Sequence, residues 1–246
     1  MKKSTIVLIA VPAILLGITY SQYPKIEKMV AVSFGLNDSD ILIKANLGDA
    51  ASQYTIGTYY EFGGGVLFPI DKKKAAEYYQ KAASQRHAAS LYNLGRLYKI
   101  EPELALETSD QSPADISRDL IEKSAYLGDD HAQVDLGTMY ENGEGVPQDL
   151  KKAADLYTKA ADQNYGPALI KLADFYRLGI GVEKDPAKAV ELLIKATQLG
   201  IPGHPAYPEA YSMLSMIFEM GDGVPVDMDK ALDYRKNAEK FSVNNR

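Results

Sequence analysis

The chain has 246 residues, a formal net charge of −6 and a hydrophobic fraction of 46%. An ordinary hydrophobic fraction at this length indicates one or two folded domains rather than a disordered chain. The acidic surplus argues against a nucleic-acid-binding protein, which needs basic residues to neutralise phosphates. The absence of cysteine excludes disulfides, thiolate metal sites and cysteine nucleophiles.

The N-terminus has the order of a secretory signal peptide. Lys2 and Lys3 precede an uncharged run from Ile6 to Ile18, and the small residues Thr19 and Ser21 follow. We therefore predict a signal peptide over residues 1–21 and a periplasmic or secreted mature chain. The run is shorter than the ~20 residues that span a bilayer. The alternative is an uncleaved inner-membrane anchor over residues 5–23, which would be the chain's contact with the membrane.

The rest of the chain is a repeat. The segment that begins at Ala132 recurs at Ala168, which lies 36 residues later, and it also recurs near the start and end of the chain. Positions within each repeat are counted below as offsets from the five starting residues, which are Ser52, Ser90, Ala132, Ala168 and Ala210. Self-similarity at this period is typical of helical repeat arrays.

Each repeat is predicted to form two helices. Apolar or small residues at offsets 0, 4 and 8 give one stripe of a first helix. A Gly-x-Gly-Val element follows, and its glycines are suited to a left-handed cap and a tight turn. An aspartate then stands where it caps the second helix, as Asp71, Asp149, Asp185 and Asp227. Small residues recur along the second helix, for example at Ala153 and Ala160, and allow the two helices to approach closely.

This pattern resembles the Sel-one-like repeat, a branch of the tetratricopeptide-like helical repeats. The resemblance implies an all-α fold, a right-handed α-solenoid of antiparallel helix pairs with about five repeats, over residues 38–241. Residues 22–37 are predicted to be a linker or a capping helix, and residues 242–246 a C-terminal tail. The stretch from Ile43 to Gly48 resembles the end of a second helix, so the array is expected to begin with a half-repeat.

Three repeats depart from the base period of 36 residues, and the first has two extra residues in its turn at Leu67 to Ile70. The second repeat replaces the glycine turn with Glu101 to Gln111 and restarts at Ser112 and Pro113, a capping serine followed by proline at the first helical position. A second insertion, Ile201 to Pro208, follows the fourth repeat.

No pattern singles out a catalytic or metal-binding site, and no enzyme activity, cofactor or metal is expected. His87, His131 and His204 stand at repeat boundaries, with no spacing that would bring them together around zinc. The Gly143-Glu144-Gly145 turn lacks the Gly-Lys-Ser/Thr of a phosphate loop. The aspartate–lysine pairs occur once per repeat, which is the behaviour of caps.

The resemblance implies an adaptor or scaffold that binds another protein. We predict binding on the concave face of the array, at offsets 2, 6, 9 and 10 of the first helices. The candidate binding residues are Tyr54, Thr58, Tyr92, Arg96, Thr138, Ile170, Asp174, Arg177 and Met216. The remaining positions of this arc are Glu61, Phe62, Lys99, Ile100, Val134, Glu141, Asn142, Leu178, Ser212, Glu219 and Met220.

Two other functions and one other role for this arc stay open. The chain could be a periplasmic immunity protein that inhibits a delivered toxin or, in a different class, an envelope hydrolase. The arc side chains could instead pack against the neighbouring repeat.

Overall fold

A computed structural model describes residues 38–64, 67–106, 111–201, 204–205 and 207–243. The predicted signal peptide, the alternative anchor, the segment 22–37 and the last three residues of the predicted tail lie outside the described residues. None of the helices in the described ranges combines the length and the apolar character needed to cross a membrane.

The described residues form twelve α-helices and one short antiparallel ladder, in which Gly200–Ile201 (β1) pairs with His204–Pro205 (β2). The helices are α1 (Asp38–Asn46), α2 (Ala50–Phe62), α3 (Lys72–Ser84), α4 (Ala88–Ile100), α5 (Pro102–Leu106), α6 (Pro113–Tyr126), α7 (Asp130–Asn142), α8 (Leu150–Asp162), α9 (Gly166–Leu178), α10 (Pro186–Gln198), α11 (Pro208–Met220) and α12 (Met228–Val243).

The predicted all-α repeat fold is confirmed. Repeats I, III, IV and V are the pairs α2–α3, α7–α8, α9–α10 and α11–α12, and each first helix packs on its second helix. Repeat II comprises α4 and α6, and the short helix α5 lies within its insertion. The described residues divide between Leu97 and Tyr98 into an N-terminal body and a C-terminal body.

The predicted caps are confirmed by hydrogen bonds. The Asp149 carboxylate accepts from the backbone N–H of Lys152 at 3.0 Å, and Asp227 accepts from that of Lys230 at 3.0 Å. These bonds, led by the bond to the backbone N–H, lower the pKa of both carboxyls. Ser112 accepts from the N–H of Asp115 at 3.1 Å, so the second repeat restarts where the sequence predicts.

The half-repeat is also confirmed, because α1 contacts α2 as a second helix contacts the next first helix. The Gln53 amide donates to the Ala45 carbonyl at 3.1 Å. Gln133 makes the same bond to Ala125, between α6 and α7, at 3.3 Å. The equivalence of these two bonds identifies α1 as a second-type helix.

The predicted left-handed turns are confirmed in the last three repeats. Gly145 and Gly181 have φ values of 70° and 65°. A Cβ on Gly181 would lie 2.2 Å from the Leu150 carbonyl oxygen, whereas one on Gly145 would first meet the Arg118 side chain at 3.6 Å. The glycine of repeat IV is therefore required both by its conformation and by the close approach of α8.

The core of the C-terminal body lies between the helix pairs. Small residues on α8, including Ala153 and Ala160, are fully buried with the larger Tyr157. Gly137 makes room for this tyrosine, since a Cβ there would lie 2.6 Å from the Tyr157 ring. Small side chains on both helices thus let one bulky aromatic residue fill the space between them.

Candidate interaction surface

The first-helix face is the set of residues at offsets 2, 6, 9 and 10 of the first helices, and its members differ widely in exposure. In the N-terminal body, the Glu61 side chain is only 5% exposed. It accepts a hydrogen bond from the Tyr79 hydroxyl at 2.7 Å and forms an ion pair with Arg96. Burial, together with the nearby Glu61 carboxylate, raises the pKa of Tyr79. Glu61 therefore joins repeats I and II instead of facing a partner.

Tyr54 and Thr58 are also held within the N-terminal body. The Tyr54 ring lies 5.1 Å from the His87 ring and 5.9 Å from the Tyr79 ring, measured between centroids. The Thr58 hydroxyl donates to the Thr55 carbonyl at 2.7 Å. Tyr92 is half-buried, and the Arg96 guanidinium lies 5.8 Å from the centre of the Phe62 ring. Packing on neighbouring helices explains most of this half of the predicted site.

Repeat III carries the same kind of contact in the C-terminal body. The Tyr157 hydroxyl donates to Glu141 at 2.5 Å, and the Lys171 ammonium of the next repeat donates to the same carboxylate oxygen at 3.1 Å. The Thr138 hydroxyl lies 3.1 Å from the Tyr157 hydroxyl. Burial first, and the Glu141 bond second, raise the pKa of Tyr157. Lys171, at offset 3, lies outside the predicted set, although a helical wheel places it beside offset 10 of the same arc.

Repeat IV places Asp174 and Arg177 together. The Arg177 guanidinium donates to Asp174 at 2.9 and 3.2 Å and to Asp222, beyond α11, at 3.2 Å. The hydrogen bonds that Arg177 donates to Asp174, ahead of the one to Asp222, raise the pKa of Arg177. Ile170 is half-buried and packs on the core. The Arg177 side chain is 16% exposed, so this cation links repeats IV and V.

The more exposed apolar residues stand at offset 10, where the first helices end. Phe62, Ile100, Leu178 and Met220 are 66%, 56%, 51% and 59% exposed, and Met216 is 36% exposed. Only Met216 belongs to the predicted binding residues. The sequence could have identified these residues, because an apolar residue recurs at offset 10 in four of the five repeats, where no core position is expected.

A groove lies between the two helices of repeat V. We call it the repeat V groove. It has a volume of about 450 Å³ and is lined by Ser212, Ser215, Met216, Glu219, Arg235, Ala238 and Glu239. Glu219 forms an ion pair with Arg235. The Ser215 hydroxyl donates to the Ala231 carbonyl at 2.8 Å, so the floor offers mainly apolar surface.

One cluster of possible metal ligands occurs in the described ranges, formed by Asp129, Asp130 and His131. Asp129 accepts from the backbone N–H of Ala132 at 2.9 Å and thereby caps α7. The His131 ring lies 2.7 Å from the Asp130 carboxylate and 4.6 Å from the centre of the Tyr165 ring. Burial raises the pKa of Asp129. Capping and packing account for the positions of these side chains.

The paired helices, and the contacts between successive pairs, define the class of the molecule as an α-helical repeat protein. The Sel1 repeat family model matches residues 50–87, 130–165, 166–201 and 208–234, which together are more than half of the chain. The chain belongs to the Sel1 repeat family. Repeat II, which carries the insertion, is not among the matched segments. Sel1 repeats are typically protein-interaction scaffolds rather than catalysts.

Solved structures of similar fold support this assignment. A Sel1 repeat protein from Oxalobacter formigenes has a TM-score of 0.64 and 29% identity, over 79% of this chain and 74% of that one. An immunity protein from Pseudomonas aeruginosa has a TM-score of 0.50 and 20% identity, over 83% of this chain and 73% of that one, which shows the shared fold alone.

A curated relative matches a smaller part of the chain. Cytochrome c oxidase assembly factor 7 from Xenopus tropicalis is 34% identical over 94 residues, which are 37% of this chain and 38% of that protein. The chain therefore spans well under half the length of this relative.

Proposed function

We propose that this protein is an exported interaction module that binds a partner protein through the first-helix face of its C-terminal body. The contact is centred on repeats IV and V. The observation that carries the proposal is the group of exposed apolar residues Leu178, Met216 and Met220 on successive first helices. Core packing does not require them, and exposed apolar groups bordered by polar residues are typical of interaction sites.

The charges beside these residues favour a specific contact. Asp174 forms an ion pair with Arg177, whose side chain is only 16% exposed, and Glu219 forms an ion pair with Arg235 at the surface. The mostly buried Arg177 keeps its geometry when a partner arrives, so it loses little conformational entropy on binding. Both pairs would orient the partner, whereas the methionine and leucine side chains would supply most of the buried apolar area.

The ion pairs that charged residues of this face already form favour binding over catalysis. Glu61, Glu141 and Arg177 each have partners that fix them between repeats. A catalytic acid or base would need to face a substrate within hydrogen-bond reach. The charged groups described on this face are therefore better suited to joining repeats and orienting a partner.

The proposal that the protein is exported rests on its N-terminal sequence, in which Lys2 and Lys3 precede the uncharged Ile6–Ile18 run and Ser21. We expect mass spectrometry of the purified protein to find an N-terminus near Gln22. An intact chain recovered from the cytoplasm would contradict export, and an intact chain in the membrane fraction would support the anchor.

The binding proposal is tested by charge substitutions on the face. Leu178→Glu and Met220→Glu are expected to weaken binding to a partner identified by cross-linking in the producing cell by at least about ten-fold. Tyr126→Glu is the matched control, because Tyr126 is 86% exposed at the end of a second helix. Equal affinity for all three variants, with unchanged melting temperatures, would place the binding site elsewhere.

A further inference from the structure

The inner repeats show what a groove between two paired helices accommodates. In repeat III, α9, the first helix of the next repeat, covers the groove between α7 and α8 by packing on α8 and reaching α7 through Lys171. Phe175 of α9 meets Tyr157 edge-to-face at 5.2 Å between ring centroids, and Lys171 reaches Glu141 at 3.1 Å. In the N-terminal body, α4 sends Asn93 to Tyr79 and Arg96 to Glu61 of repeat I in the same way. Each of these incoming helices supplies a basic residue to the glutamate at offset 9.

The repeat V groove has the same plan with three changes. Glu219 keeps the glutamate of offset 9, whereas Arg235 stands in the position of Tyr157 and pairs with Glu219. Glu239 stands in the position of Ala161, which is 3% exposed in repeat III. Among the described residues, no helix beyond α12 covers this groove.

The residues that line the repeat V groove indicate which kind of ligand it would bind. The floor contains Met216, Ala238 and Ser215, whose hydroxyl is already bonded to a backbone carbonyl. The walls carry two carboxylates and one guanidinium, so the groove has a net negative charge. A helix with an apolar stripe fits the floor, and lysine or arginine on its flank would meet Glu219 and Glu239 as Lys171 meets Glu141.

We infer that the repeat V groove binds an amphipathic helix of a partner protein, with an apolar stripe flanked by basic residues. This inference rests on the proposed function and specifies the partner's contacting segment. A second copy of this chain is a poorer occupant, because the chain has a net charge of −6 and the groove is itself negatively charged.

The probe is a helix-stapled synthetic peptide with the sequence of α9, Gly166–Leu178, because this helix covers the equivalent inner groove. Its Lys171→Glu form is the matched control peptide. Binding to the full chain is measured by fluorescence polarisation. We expect the lysine peptide to bind about five-fold more tightly than the glutamate peptide, which is the factor expected from one exposed ion pair.

Variants of the chain assign the site. Met216→Arg is expected to abolish peptide binding with an unchanged melting temperature, since Met216 is 36% exposed. Glu219→Lys is expected to reverse the preference, so that the glutamate peptide binds more tightly, because Glu219 stands in the position of Glu141, which Lys171 contacts in repeat III. The inference is overturned if neither peptide binds, if both bind equally, or if Met216→Arg still binds. Self-association of the full chain that Met216→Arg abolishes would assign the groove to a second copy and would also overturn it.

The inference and the proposed function can fail separately. If the identified partner still binds Met216→Arg but not Leu178→Glu, the first-helix face is the binding surface and the groove is not. If neither variant affects that partner, the proposed function fails as well.

Discussion

Repeats III and V share one plan and differ in what lies against them. In repeat III, α9 covers the groove, and Glu141 is held between Tyr157 and Lys171. In repeat V, Glu219 occupies the same position and pairs with Arg235 of its own second helix. The same offset therefore supplies an inter-repeat contact in one repeat and an exposed polar wall in the other. The neighbouring helix, more than the position within the repeat, decides the role of the residue.

The largest expected effect concerns the turn between the two helices of repeat IV, which lies against α8 of repeat III. Gly181→Ala places a Cβ 2.2 Å from the Leu150 carbonyl oxygen in a left-handed conformation. We expect a loss of about 2–5 kcal/mol in the free energy of unfolding, from overpacking added to backbone strain. Urea denaturation measures it.

Gly145→Ala is the matched control, because Gly145 has a similar φ with the nearest atom at 3.6 Å. Its expected cost is about 1–2 kcal/mol, from backbone strain alone. Equal losses for the two variants would show that the close approach of α8 is not what requires glycine at 181.

The second-largest expected effect concerns the packing between the two helices of repeat III, which differs from that in repeat V. Gly137→Ala brings a methyl group to 2.6 Å from the Tyr157 ring and should cost about 1–3 kcal/mol in the free energy of unfolding. Ser215 fills the equivalent position in repeat V, opposite Arg235.

The double variant Gly137→Ala with Tyr157→Leu recreates the Ala173 and Leu193 combination of repeat IV. It should be more stable than the sum of the two single changes predicts, and a double-mutant cycle measures this coupling. Additive losses would mean that Gly137 and Tyr157 do not compete for the same space.

A smaller effect separates the two glutamates. Glu141→Ala removes an acceptor from the mostly buried Tyr157 hydroxyl and should cost about 1 kcal/mol in thermal or urea unfolding. Glu219→Ala breaks a largely exposed pair and should change stability by less than about 0.5 kcal/mol. Similar losses would mean that the repeat V groove is as well covered as the repeat III groove.

The smallest effect is a pH dependence at the caps. The backbone bond from Lys152 lowers the pKa of Asp149, so its charged form stabilises the folded state. That contribution is present above the unfolded pKa of 3.8 and disappears as the pH falls through the lower folded value.

The wild-type chain should therefore melt at a higher temperature than Asp149→Asn at pH 7, and the difference should shrink at pH 3 and below. A constant difference between the two pH values would assign the cap's contribution to geometry rather than charge.

The sequence predicted the local features of the fold. The capping aspartates, the left-handed turn at Gly145 and the restart at Ser112 are confirmed because each depends on residues a few positions away. The half-repeat was predictable for the same reason, since its end repeats the pattern of another second helix.

The composition of the interaction surface was less predictable. A helical wheel places Glu61 and Met216 on the same arc, yet one is buried and the other exposed. The difference arises because Glu61 meets Arg96, which is 35 residues away in sequence, whereas no described helix covers Met216. Likewise, the close approach of Leu150 to Gly181 depends on how two repeats stack. The exposure of the predicted binding residues is known from the structure, and their role in binding stays a prediction.

Thiol labelling tests the contrast between the two grooves most directly, because the chain has no cysteine and each variant carries a single thiol. Ala161→Cys and Glu239→Cys place that thiol at equivalent positions of repeats III and V. The account predicts that the Glu239→Cys variant reacts with a soluble thiol reagent at least about ten-fold faster. Labelling in the covered groove requires a local opening that costs at least about 1.4 kcal/mol. Equal labelling rates in two folded variants would contradict the account, because the repeat V groove would then be no more accessible than the groove that α9 covers.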